Sequence, residues 1–112
     1  MEPVEINAGA WYLRALRDDD RLSDATALTD LGIDDPSGYV AESDSRWAAE
    51  SEFVWAVCIP TTGELVALIG VTNRAGSGDL WEKARTGFDD ALDAARGPVT
   101  RFAEGALGLS LH

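Results

Sequence analysis

Cysteine, histidine and lysine each occur once in these 112 residues, and each scarcity closes off a class of chemistry. A single Cys58 excludes an internal disulfide framework and any multi-cysteine zinc site. The only histidine is His112, at the end of the sequence, so a Ser-His-Asp or Cys-His pair built on a rigid base is excluded. Positive charge is thin as well. Nine Lys and Arg face 20 Asp and Glu, a formal net charge of −11, and that balance repels phosphate, so no nucleic-acid partner is expected. No hydrophobic run is long. The strongest, 65–71, is far too short to cross a bilayer, and no membrane partner is expected. The opening Met1-Glu2-Pro3-Val4-Glu5 has neither a basic segment nor an apolar run. A secretion signal is therefore not expected, and the expected compartment is the cytoplasm. Asp18-Asp19-Asp20 are consecutive and point in diverging directions, which suits a solvated turn; no metal is expected.

What is present is enough for one domain, 1–112. The chain is 46% hydrophobic, too apolar for a disordered acidic tail. A chain this size buries on the order of 65% of its unfolded surface. The charge is uneven: residues 1–72 hold 14 acids and 4 bases, net −10, and 73–112 hold 6 acids and 5 bases, net −1. An anionic ligand is expected to prefer the C-terminal part, although a solubilising acidic face is the commoner use of such a bias.

Along the chain, Trp11-Tyr12-Leu13-Arg14-Ala15-Leu16 reads as a first strand stopped by the polar 17–21. Ser23 or Asp24 caps a helix over 25–31, closed by Gly32. Asp35-Pro36 opens a second helix, with a carboxylate cap and proline at the first helical position, and Val40 and Trp47 on one side. Two β-branched runs, 53–59 and 65–71, flank Pro60-Thr61-Thr62-Gly63-Glu64 and predict an antiparallel hairpin. Neither run alternates with polar residues, so both sheet faces are expected to be covered by helices. The glycine-bearing 72–79 reads as a mobile connection, and 80–84 as either a fourth strand or the first turn of a helix. From Phe88 the period turns helical. Phe88, Ala91, Leu92 and Ala95 form one stripe, and Val99, Phe102, Ala103 and Ala106 another. Pro98 between them predicts two helices or one sharp kink. Gly108 closes the last helix, and 109–112 begins something short and extended.

That order and several strings resemble the GNAT acetyltransferase superfamily, nearest to the branch that acetylates N-terminal amines of ribosomal proteins. "WYLRALRDDD" is similar to that branch's first strand and acidic turn. "ESDSRWAAESEFVWAVCIPTTGELVALIGV" is similar to its Arg-Trp helix end, Trp-Ala-Val strand, Thr-Gly-Glu turn and second strand, and "VTRFAEGALGLSLH" to its phosphate-side helix and next strand. The resemblance spans about two thirds of the chain. It implies an α/β (α+β) fold, a shortened GNAT-like one, with three to four mainly antiparallel strands and helices on both faces. It also implies acetyl-CoA as cofactor and an acetyl-CoA-dependent N-acyltransferase as the enzyme, if active. Family members seat the CoA pyrophosphate on main-chain N–H groups at a helix N-terminus, through an Arg/Gln-x-x-Gly-x-Gly/Ala loop.

The departures bear on activity. Around Gly87 the frame reads Ala84-Arg85-Thr86-Gly87-Phe88-Asp89, and around Gly97 it reads Ala94-Ala95-Arg96-Gly97-Pro98-Val99; neither keeps the pattern. Asp89 and Asp90 set two negative charges where a diphosphate would sit. At about 5 Å and an effective dielectric near 20, each repulsion is about 3 kcal/mol before screening. The family's later strands, which often bring a Tyr or Ser that protonates the departing thiolate, have no counterpart before His112. The expectation is weak or absent transferase activity.

The surviving ligand site is expected between 80–84 and Arg85-Thr86-Gly87, with Leu80, Trp81, Arg85, Thr86 and Gly87 against the cofactor. Glu82 is the one carboxylate near the family's usual base position. The commoner situation for such a residue is a solvent-facing glutamate beside Lys83. Cys58 lies mid-strand among apolar neighbours and reads as a buried structural thiol. Of Trp11, Trp47, Trp55 and Trp81, one or two exposed would mark a partner surface. The alternative function is a non-catalytic module. An unpaired sheet edge would form a homodimer with a second copy or take another protein partner, and an acidic decoy for a basic protein is a third reading.

Overall fold

The computed structural model describes residues 1–111. In chain order it contains β1 (Ile6–Ala8), β2 (Trp11–Arg14), α1 (Ala25–Asp30), α2 (Pro36–Ala49), β3 (Glu52–Cys58), β4 (Leu65–Arg74), β5 (Ser77–Ala84), α3 (Asp89–Gly105) and β6 (Ser110–Leu111). The strands form one sheet in the order β1-β2-β3-β4-β5-β6. Every pairing is antiparallel except the short parallel one between β5 and β6.

The apolar runs of β3 and β4 pair as the hairpin their sequence predicts and are buried from Phe53 to Cys58 and from Leu65 to Val71. Because side chains alternate across a strand, those runs feed two cores. On one face Val54, Ala56, Cys58, Leu65 and Leu68 pack with Leu28 of α1 and Val40 of α2. On the other, Val57, Ile69 and Val71 pack with Ala91, Leu92, Ala95, Val99 and Ala103 of α3. Trp47, fully buried near the end of α2, stands edge-on to Phe53 and Trp55 at centroid distances of 5.0 and 5.1 Å. Its indole N–H donates to the Val54 carbonyl at 3.2 Å. No tryptophan is exposed, and among the described residues Met1 is the only exposed large hydrophobic. The condition set for an aromatic partner surface, one or two exposed tryptophans, is therefore not met.

Two expectations change and two open alternatives narrow. The sheet has six strands rather than three or four. β1 joins through the Gly9 turn (φ 63°) and pairs Ile6 with Leu13. The 72–79 segment is no loose connection. β4 runs on to Arg74 and β5 begins at Ser77, leaving Ala75-Gly76 as a two-residue turn with φ of 54° and 90°. Positive φ at both central residues matches the right-handed twist of a hairpin. Residues 80–84 lie on β5, settling them as strand. Lastly, of the two outcomes expected at Pro98, two separate helices are excluded: α3 runs as one helix with Pro98 inside it, its continuous buried stripe outweighing the loss of one N–H bond. His112 lies outside the described residues.

Local chemistry explains the helix starts. Asp35 accepts from the Gly38 N–H at 3.2 Å and Pro36 occupies the first turn of α2. At α1 the expected side-chain cap is not formed: Asp24 holds the cap position without a cap bond, and Ser23, one residue earlier, accepts only the Ala25 N–H, through Oγ at 3.2 Å. Asp24 instead turns inward, to Arg14. Its two oxygens accept from the two terminal guanidinium nitrogens, Nη2 at 2.8 Å and Nη1 at 2.9 Å, with Arg14 6% and Asp24 2% exposed. Arg14 also donates to the Gly63 carbonyl (2.9 Å), and Asp24 accepts from the Arg17 N–H (2.7 Å). One buried fork thus joins β2, the turn before β4 and the start of α1.

Gly70 of β4 lies beneath the Trp81 indole. A Cβ there would stand 2.4 Å from a ring carbon, so Gly70→Ala is expected to destabilise by about 1–3 kcal/mol through overpacking. A thermal melt with tryptophan fluorescence checks it.

The acidic turn is organised rather than merely solvated. Asp19 accepts from the Arg17 guanidinium (2.9 Å) and from the N–H groups of Arg21 (2.9 Å) and Leu22 (3.0 Å). The Arg17 bond, then the two main-chain bonds, hold its carboxyl down at about 2, against 3.8 for the free group. A depressed folded pKa stabilises above the unfolded value and is lost as pH falls through the folded one. Asp19→Asn is therefore expected to lower the melting temperature at pH 7. Its gap to the parent is expected to close between pH 4 and 2, read from melts across that range.

Candidate functional site

The site expected from sequence lies where β5 parts from β6. Parallel pairing joins only Ser77 to Ser110 and Gly78 to Leu111. Gly76 accepts from the Ser110 N–H at 3.0 Å, while the Arg85 N–H, nine residues on, donates to Val66 of β4 at 2.9 Å. Main-chain direction alternates residue by residue along a strand. Even-numbered residues therefore face the β6 side and odd-numbered ones face β4. Past Gly78, Leu80, Glu82 and Ala84 turn their N–H and C=O groups into a wedge that no strand fills among the described residues.

At the foot of that wedge the chain turns through 85–88 into α3. Gly87, at φ +89°, makes a turn that a side-chain-bearing residue would adopt only under strain. The main-chain N–H groups of Thr86, Gly87, Asp89 and Asp90 have no hydrogen-bond partner among the described residues. Free donors and the helix dipole favour an anion here. The carboxylates of Asp89 and Asp90 oppose it. Both are exposed, so solvent screening cuts their repulsion well below its low-dielectric size.

The side chains of the predicted residues diverge. Leu80 and Ala84 pack toward α3. Glu82 points the same way and is held by Arg96, through Nε at 2.8 Å and a second, shorter bond from Nη2. Arg96 also bonds Asp93 at 2.5 Å. A base at Glu82 has to leave that ion pair before it takes a proton. Trp81 faces the α1 and α2 side, and its indole N–H donates to Glu52 at 3.2 Å. Glu52 also accepts from Thr72 (3.0 Å) and Arg46 (3.0 Å). Arg85 is tied to Asp30 at 2.7 Å and Glu64 at 2.9 Å. With Thr86 and Phe88 these residues line an open cleft of about 430 Å³. The predicted set thus shares one strand and loop without converging on one point. What gathers at the wedge is main chain, and side-chain chemistry in the sequence gives no sign of that.

Cys58 contributes no nucleophile. It is fully buried, and burial pushes its thiol up to about 12, where the reactive thiolate is negligible at neutral pH. Among the described residues no helix is long and apolar enough to cross a membrane.

No family model and no curated protein sequence matches the chain. Solved structures do. A candidate ribosomal-protein-serine acetyltransferase from Vibrio cholerae superposes with a TM-score of 0.82 at 14% identity, over 99% of this chain and 74% of that one. An acetyltransferase from Agrobacterium tumefaciens strain C58 superposes with a TM-score of 0.65 at 18% identity, over 95% and 70%. At such identities the likeness speaks for the fold.

Proposed function

Taking the GNAT acetyltransferase fold as the premise, we propose that this protein holds acetyl-CoA in the β5–β6 wedge with low affinity and little or no acetyl transfer. The observation that carries this is the coincidence of two features. An unpaired strand edge offers hydrogen bonds to an extended amide-bearing chain, and four free N–H groups at its foot face two carboxylates. The first would hold the pantetheine arm, and the second both attracts and repels the pyrophosphate. Leu80, Glu82 and Ala84 orient the arm through their main chain, and Thr86 and Gly87 meet the phosphates. When bound, acetyl-CoA supplies an activated acyl group to an amine. Glu82, once freed from Arg96, is the candidate to receive the amine's proton. Calorimetric titration with acetyl-CoA, paired with a thermal shift, tests this. A weak heat and a small rise in melting temperature at millimolar ligand are expected, since a Kd near 1 mM corresponds to about −4 kcal/mol. Neither signal at millimolar ligand overturns it.

The same open edge favours a second reading, a non-catalytic module that closes its sheet against another copy or a partner strand. Gel filtration with light scattering separates the two. A dimer that acetyl-CoA does not disturb supports the module, and a monomer at high micromolar concentration removes self-pairing.

A further inference from the structure

The chain's one lysine sits on the strand that borders the wedge. The other eight of its nine bases are arginines, whose guanidinium stays protonated and does not attack an acyl group. Lys83 lies between Glu82 and Ala84, whose main-chain groups face the open edge. Its side chain is exposed and makes no ion pair or hydrogen bond among the described residues. Arg14, Arg17, Arg46, Arg74, Arg85 and Arg96 are all held by carboxylates. A chain bound along β5 like a strand would run about 5 Å away, within the sweep of a four-carbon lysine stem.

We infer that Lys83 is a self-acetylation site, modified by the acetyl thioester bound in the wedge; this rests on the function proposed above. The Lys83 ammonium first gives a proton to solvent. The neutral amine then attacks the thioester carbonyl, a C–N bond forms, the C–S bond breaks, and the CoA thiolate leaves and takes up a proton. The product is an acetyl-lysine amide and free CoA, with no oxidant or reductant involved. Tethering donor and amine on one scaffold replaces the need for an acceptor pocket, because effective molarity within a complex is high. Even a poor transferase therefore suffices. The modified chain carries a formal charge of −12, one cation fewer than −11.

Incubation of the full chain with acetyl-CoA, followed by fragment mass spectrometry, tests this beside the calorimetry. The expected result is one acetyl group at Lys83, a rate that saturates with acetyl-CoA, and at least tenfold faster labelling than in the same chain unfolded in urea. Lys83→Arg is expected to keep the binding heat and lose the label. Binding heat with Lys83 unlabelled overturns the inference and leaves the cofactor reading standing. So does labelling at Lys83 no faster than in urea, or labelling at the Met1 amine alone. Absence of both heat and label overturns the cofactor reading itself.

Discussion

Asp24→Ala is expected to cost about 3–5 kcal/mol, because it leaves the Arg14 guanidinium buried with no counter-charge. For a domain of this size that is about 15–25 °C in melting temperature, and a large part of a typical total stability of about 5–15 kcal/mol. The size of the effect follows from burial. Arg14 and Asp24 are nearly inaccessible, whereas the ion pairs of Arg74 with Asp79 and Arg96 with Asp93 are exposed and belong to a class worth at most about 1 kcal/mol. Replacing both partners by apolar residues, Arg14→Met with Asp24→Leu, is expected to cost less than the sum of the single changes. The Gly63 carbonyl and Arg17 N–H lose their partners in that variant, so recovery is partial. A double-mutant cycle by denaturant melts measures the coupling. Additive single effects would show that the fork contributes no more than an exposed pair.

The second large effect concerns the wedge. Asp89→Asn with Asp90→Asn is expected to strengthen acetyl-CoA binding about tenfold. At about 5 Å in water each unit repulsion is about 0.8 kcal/mol, and two removed together approach 1.6 kcal/mol. The same change is expected to weaken the fold, since carboxylates in the first turn of a helix stabilise it by about 0.3–1 kcal/mol each. Tighter binding with a lower melting temperature is thus the signature, and added salt is expected to shrink both differences. Calorimetry at two salt concentrations, with a thermal melt, checks it. Unchanged affinity would mean that the phosphates do not rest on the start of α3.

How much of this was legible in the sequence depends on whether the deciding physics was local. Asp35-Pro36 fixes the start of α2 within one turn of chain, and the β-branched runs around Thr62-Gly63 fix the central hairpin. Both were readable. Residues 72–79 misled because the strands there run past the core. Thr72, Asn73 and Arg74 have no apolar face to show, and the turn uses Ala75 at positive φ where Asn or Gly is usual. β1 was hidden for a similar reason, since Asn7 and Ala8 are poor strand formers held by pairing to Trp11 and Tyr12. Pro98 looked like a break because its local penalty is visible in sequence, while the compensating stripe from Ala91 to Ala103 acts only once packed. The Arg14–Asp24 fork was invisible. Arg14 read as part of a strand and Asp24 as a helix cap, and only the fold brings them together. The expectation of a site on 80–87 rests on resemblance to the GNAT pattern. The make-up of the wedge is not legible in sequence, because the groups lining it are main-chain atoms that every residue possesses.

The β3–β4 pairing shifts register once: Val57 lies opposite Ala67 and Cys58 opposite Leu65, leaving Val66 as the extra residue. That one extra residue is a bulge, with Val66 and Ala67 both turned to the α3 side. Deleting it would remove its side chain from the α3-side core and leave Leu65 opposite Cys58 and Ala67 opposite Val57 as consecutive pairs of one regular ladder, with Ile69 and Val71 still on the α3 side. The carbonyl that receives Arg85 would vanish too. The extra residue therefore serves the junction where the chain leaves β5 for α3, whose Arg85 N–H finds its acceptor there, rather than the frame of the sheet.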